Sequence, residues 1–108
     1  RKMATGILGK ADLSAATNTT IYTCPSDTYT VVSVNLCNRG NQATSMRVAT
    51  AATDTPVNSE YIEYDVEILA KGVLERTGIV LGAGQKLVCR AGSANVSVVA
   101  MGIETSTV

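Results

Sequence analysis

The sequence contains no histidine, tryptophan or phenylalanine, only two prolines, and no excess of either charge, with nine Lys and Arg against nine Asp and Glu. Each absence excludes something. Without histidine the chain lacks the commonest general base near neutral pH and the commonest metal ligand. No serine or cysteine has an imidazole to activate it, so no enzyme is expected and no catalytic residue, cofactor or metal is assigned. Balanced charge provides no drive toward phosphate backbones, which removes nucleic acid from the expected partners. No apolar run approaches the ~20 residues that span a bilayer, and no basic-then-apolar leader opens the chain, so neither a membrane nor secretion is expected. The three cysteines, Cys24, Cys37 and Cys89, are odd in number and widely spaced, without a C-x-x-C pair. They read as small hydrophobes in a reducing cytosol rather than a disulfide framework or zinc knuckle.

What the chain does have is threonine, valine, alanine, serine and glycine, a mixture suited to pleated surfaces. Arg1 and Lys2 precede Met3, which reads as a start residue, so residues 1–3 are set aside and 4–108 are expected to form one domain. Leu8 to Leu13 is too glycine-interrupted for a helix and reads as an arm or edge strand. Thr20 to Cys24 is a short strand stopped by Pro25. In Tyr29 to Asn38, Val32, Val34 and Leu36 alternate with Ser33 and Asn35, the period of a strand. Met46 and Val48 oppose Arg47 in the next segment. Tyr61 to Ile68 alternates most clearly, which assigns Ile62, Tyr64, Val66 and Ile68 to a core and Glu63, Asp65 and Glu67 to the other face. Val73 to Leu81 and Leu87 to Arg90 follow. Asn95 to Glu104 is apolar on both sides: Val96, Val98 and Ala100 on one, Val99, Met101 and Ile103 on the other. Seven or eight short strands without a helical stretch make an all-β, single-domain antiparallel sandwich, jelly-roll or immunoglobulin-like, with a small barrel as the alternative.

Motifs that could carry chemistry have simpler readings. Gly6-Ile7-Leu8-Gly9-Lys10 lacks the spacing and hydroxyl residue of a phosphate loop, and Gly82-Ala83-Gly84 lacks the third glycine of a dinucleotide fingerprint. Glu63, Asp65 and Glu67 share one strand face, whereas a glycosidase pair approaches its sugar from opposite sides. A solvated or arginine-paired face is expected. The glycosylation patterns at Asn18 and Asn95 read as chance matches, the second within a buried strand. Tyr22, Tyr29, Tyr61 and Tyr64 could line a sugar platform, but with Tyr64 on the core side packing is the expected role.

The order of segments resembles a family of roughly hundred-residue virion proteins of tailed phages. The likeness lies in Ala11-Asp12-Leu13, Thr20-Ile21-Tyr22-Thr23-Cys24-Pro25 and Val32-Ser33-Val34-Asn35-Leu36-Cys37-Asn38-Arg39-Gly40. It continues through Tyr61-Ile62-Glu63-Tyr64-Asp65, Gly72-Val73-Leu74-Glu75-Arg76-Thr77-Gly78-Ile79, Asn95-Val96-Ser97-Val98 and Gly102-Ile103-Glu104. It covers the chain from Leu8 to Glu104, and its motifs describe strands and turns without a catalytic site. The resemblance implies a particle component, and the chain is expected to be a multi-copy bacteriophage structural protein on the particle exterior, tail- or fibre-associated or a capsid decoration or cement subunit. Its other partners would be further phage structural proteins, and its location the virion after synthesis in the host cytoplasm. The alternative is a carbohydrate-binding module serving as a host-surface adhesin.

A last strand apolar on both faces needs a cover on its second side. Self-association is therefore expected, as a homotrimer or, failing that, a dimer, with Leu8, Leu13, Val99, Met101 and Ile103 as the contact residues. The cysteine reading has a direct test. Alkylation of the unfolded protein without reductant should label all three thiols by mass spectrometry, and a Cys24 to Cys89 bridge would place the protein in an oxidising compartment instead.

Overall fold

The computed structural model describes residues 3–108, so the reading of Arg1 and Lys2 lies outside the described residues. Eight strands form: β1 (Thr5–Leu13), β2 (Thr19–Thr23), β3 (Thr28–Asn38), β4 (Thr44–Ala51), β5 (Tyr61–Ile68), β6 (Val73–Leu81), β7 (Lys86–Ala91) and β8 (Val96–Ser106). A single turn of 3-10 helix, Asn58–Glu60, precedes β5. The strands divide into two four-stranded antiparallel sheets, ordered β1-β8-β3-β6 and β2-β7-β4-β5. The pairs β1 with β8, β2 with β7, β3 with β6 and β4 with β5 are those of one long hairpin, with the β4–β5 connection at its tip, rolled into two layers. That pairing is a jelly roll, one of the expected forms of the sandwich.

The core follows from alternation on the inner strands. β3 sends Val32, Val34 and Leu36 inward and β8 sends Val96, Val98 and Ala100, all fully buried, against Met46 and Val48 of β4 and Leu87 and Cys89 of β7. Each end of this apolar layer is closed by a hydrogen-bonded polar group, as burial of such groups requires. At one end the Tyr22 hydroxyl donates to Glu104 Oε2 at 2.6 Å and lies 2.8 Å from Thr30 Oγ1. Burial first, and the Glu104 hydrogen bond second, hold this phenol protonated far above the usual tyrosine range. Glu104 Oε1 accepts from the Ala4 amide at 2.9 Å, which fastens the start of β1 to β8. At the other end the Asn38 amide nitrogen donates to the Gln42, Ile68 and Leu69 carbonyls at 2.9, 3.1 and 3.2 Å, tying β3 of the first sheet to the end of β5 in the second.

The irregularities of the sheets are confined to one class of strand. Comparing register steps, each shift inserts an extra residue into β1, β2, β5 or β6, and these are the four edge strands. Inner strands run without interruption. β-bulges concentrate at sheet edges because the unpaired side tolerates the kink and the kink discourages further strand addition. In β6 Thr77 and Gly78 together oppose the single residue Ser33, and Gly78 takes φ +72°, a left-handed geometry that glycine adopts without cost. β5 carries two shifts, one built on Asp65, with φ +52°, and a second at Ile62 between Glu63 and Tyr61.

The Asp65 bulge corrects the reading of β5. Met46 opposes Val66 but Val48 opposes Glu63, so the strand changes face between them. Ile68 is buried and Ile62 and Val66 are half-buried against the core, whereas Tyr64 is 55% exposed on the outer side. Glu63, expected on a solvated or arginine-paired face, takes a core-facing register at the sheet margin and is arginine-paired, meeting Arg76 Nη1 of β6 at 2.6 Å. This ion pair spans the two sheets along their open edge. At the opposite edge β1 crosses close to β2, where a Cβ on Gly9 would overlap the Ile21 carbonyl oxygen. The sandwich is therefore pinched on one side and bridged by charge on the other, and no barrel closes.

The alternation of β3 sets a test with an internal control. Leu36→Ala should cost about 2–5 kcal/mol of unfolding free energy. Asn35→Ala, at the polar end of the outer face of the same strand, should stay within about 1 kcal/mol by denaturant unfolding. Equal losses would contradict the assignment of faces.

Candidate interaction surfaces

Two outer faces remain once the core is assigned, and their chemistry differs. On the first sheet, cross-strand register lines up Ile103 of β8 with Val31 of β3 and Val80 of β6, and beside that row Met101 of β8 with Ile7 of β1. These five side chains are exposed, Ile7 and Val80 by about 60% and Met101 by 39%. Together they expose on the order of 400 Å² at one end of the sheet, within the range of a monomer's largest apolar patch, which is often functional. Toward the other end the face turns polar, with Lys10, Asn35 and Glu75 in the row that holds Val99. There Asp12 pairs with Arg39 at 2.5 Å.

The contact residues expected from sequence separate on this surface. Met101 and Ile103 stand on the exposed face and Val99 is half-buried at its polar margin. Leu13 is 3% exposed within the core and Leu8 packs against the same core. Leu13 faces inward through its regular pairing opposite Val96, and the bulge between Ile7 and Gly9 turns half-buried Leu8 inward and leaves Ile7 outside. Ile7, Val31 and Val80 were not legible as contacts. Their strands had to be known as neighbours of β8 before the row became visible.

The outer face of the second sheet is partly covered by its own chain. Ala49, Ala51 and Val88 point away from the core yet are fully buried, with Tyr61 packed on them. Glu60 fixes the covering segment, its carboxylate accepting from the Val57 amide at 2.9 Å and the Ala52 amide at 3.0 Å. Beside this floor Arg47 donates from Nε to Asp65 Oδ1 at 2.6 Å and from Nη2 to Oδ2 at 3.1 Å. Its guanidinium lies 4.2 Å from the centroid of the Tyr64 ring, and Tyr64 meets Tyr61 edge to face with centroids 4.9 Å apart. Asn58, Tyr61 and Tyr64 line a depression of about 430 Å³. The hydrogen bond from Arg47 is the main cause that lowers the Asp65 pKa below its ordinary value, with Arg90 adding a coulombic contribution.

The cysteines lie free, as read from their number. Cys24 and Cys89 are buried, and burial pushes the Cys89 thiol up to about 12, so it stays protonated and unreactive. Among the described residues no group of three His, Cys, Asp or Glu side chains could hold a metal ion. Among the same residues no helix is long and apolar enough to cross a membrane. Asn95 occupies an exposed turn with φ +70° ahead of β8 and is not within the strand that sequence assigned to it.

Neither a family model nor a curated protein matches the chain. Among solved structures it is similar to a pentameric capsid protein isolated from metagenomic phage sequences, at 20% identity and a TM-score of 0.36. The match covers 91% of this chain and 60% of that one, so the chain spans well under two thirds of its neighbour's length.

The Arg47–Asp65 pair gives a pH signature with a definite sign. A carboxylate whose folded pKa is depressed contributes stability that is complete above its unfolded value and disappears as pH falls through the folded one. Urea midpoints of the native protein should thus fall more between pH 6 and pH 2, as set points of the titration, than those of Arg47→Gln. Parallel curves would show that the pair contributes nothing measurable.

Proposed function

We propose that the chain is a multi-copy structural subunit of a bacteriophage particle that self-associates through the outer face of its first sheet. The observation that carries this reading is the contiguous patch of Ile7, Val31, Val80, Met101 and Ile103. The motif resemblance to tailed-phage virion proteins supports the particle assignment. So does the jelly-roll pairing, an architecture recurrent in capsid and lectin domains, although a fold shared this widely is analogy and not evidence of role. The placement on the particle exterior, as a tail or fibre component or a decoration subunit, is part of this proposal; the resemblance itself implies a particle component.

Association through a face also fits the energetics. At about 25 cal/mol per Å², burial of roughly 400 Å² per subunit supplies on the order of 10 kcal/mol, comparable with the ~4–15 kcal/mol lost in rigid-body freedom. Repeated symmetric contacts then multiply a modest interface by avidity. A homotrimer is the proposed state and a dimer the second. Leu8 and Leu13 are replaced in the proposed contact by Ile7, Val31 and Val80, with Met101 and Ile103 retained.

Light scattering at micromolar concentration should give a multiple of 11.2 kDa. Changing Met101 and Ile103 to aspartate should return the mass to that of one chain while strand content by circular dichroism is unchanged. A native protein that is monomeric, or an oligomer indifferent to both aspartates, would remove this face from consideration. Stoichiometric recovery of the chain from purified particles tests the particle assignment separately.

A further inference from the structure

We infer that the depression lined by Asn58, Tyr61 and Tyr64 is a binding site for a neutral sugar ring, carried on the face opposite the proposed subunit contact. The two tyrosine rings stand 79° apart with centroids at 4.9 Å, which makes an apolar corner rather than a flat stack. A pyranose presents one face of C–H groups and an equatorial belt of hydroxyls, so a ring laid in such a corner meets one aromatic face and one aromatic edge. The polar requirement is met as well. Asn58 supplies an amide that both donates and accepts, and each phenol hydroxyl does the same. The depression, at about 430 Å³, falls within the ~300–1,000 Å³ range of small-ligand sites.

The site is held in place before any ligand arrives. Ala49 and Ala51 are small enough to let Tyr61 lie down on the sheet, where it joins their buried cluster. Glu60 locks the turn that carries Asn58 through its two backbone hydrogen bonds. Arg47, anchored by both oxygens of Asp65, lies against the Tyr64 ring and fixes its orientation. Side chains that are already ordered lose little entropy on binding, which matters for a weak ligand such as a single sugar. The charge of Arg47 is answered by Asp65 at 2.6 Å, so this arginine does not itself call for an acidic ligand. Because the first sheet would face neighbouring copies, this second-sheet site stays open in the assembly, and many weak sites on one particle would act together.

The experiment uses the full chain on an array of neutral and acidic oligosaccharides, followed by titration of the strongest neutral ligand with tyrosine fluorescence as readout, the chain having no tryptophan. A neutral hexose-containing glycan should bind, and Tyr64→Ala and Asn58→Ala should each weaken it by about tenfold or more. Tyr29→Ala, an exposed tyrosine on the other sheet, should leave binding unchanged. Tyr64 and Asn58 are both exposed, so neither change threatens the fold, and circular dichroism of each variant verifies this. Binding of acidic glycans alone, of a proline-rich peptide in their place, of no glycan, or binding untouched by Tyr64→Ala would each overturn the inference. The mass of the same samples by light scattering reports on self-association separately, so either reading can fail while the other stands.

Discussion

A two-layer sandwich can cover only one face of each sheet, and the rest of this molecule follows from how the two remaining faces are treated. The inner faces are satisfied by one another, through an apolar layer between β3 and β8 on one side and β4 and β7 on the other. On the second sheet, the long β4–β5 connection returns over the outer face and buries Ala49, Ala51 and Val88 under Tyr61. The first sheet has no such connection. Its strands leave for the other layer at each end, and Ile7, Val31, Val80, Met101 and Ile103 remain bare. This apolar surface is left open by topology, not by a local lapse in pattern, and the proposed subunit contact rests on it.

The edges of the sheets strengthen that conclusion. A sandwich can also associate laterally, by adding strand to strand, and the usual defences are bulges and inward-pointing charges on the outermost strands. Both are present here. All four edge strands carry a bulge, and on the open side Glu63 and Arg76 turn toward the sheet margin and pair across it. On the other side β1 and β2 lie close enough at Gly9 and Ile21 to exclude a side chain. With lateral addition hindered at both sides, face-to-face contact is the route left to a second copy.

The division between inner and edge strands also explains what could be read from sequence. On β3 and β8 alternation runs unbroken, so Val32, Val34, Leu36, Val96, Val98 and Ala100 were legible as core, and Met101 and Ile103 as the opposite face. On an edge strand an inserted residue inverts the assignments that follow it until a second shift restores them, as it does at Ile62 of β5. Leu8 went inward and Ile7 outward for that reason, and Tyr64 and Glu63 exchanged environments. The bulge in β6 at least carries a glycine, Gly78, which a reader can suspect. That in β5 is built on Asp65, a residue that tolerates the left-handed region but occurs in many other settings, so nothing in Tyr61 to Ile68 announces it.

The misread residue is the one on which the second surface depends. Had the alternation of β5 continued, Tyr64 would pack in the core and Asp65 would stand alone in solvent. The inserted residue puts both on the outer face, and there Arg47 links them, binding the carboxylate through two nitrogens while lying against the ring. Asp65 at φ +52° is an unfavourable geometry for a side chain with a Cβ, and the ion pair it makes is a local compensation for that strain. A bulge serving only to protect an edge needs no aromatic pair, no anchored arginine and no alanine floor beside it. Their coincidence over one depression is what separates a candidate binding site from ordinary edge protection, and it puts the proposed binding site and the proposed subunit contact on opposite faces of the same small sandwich.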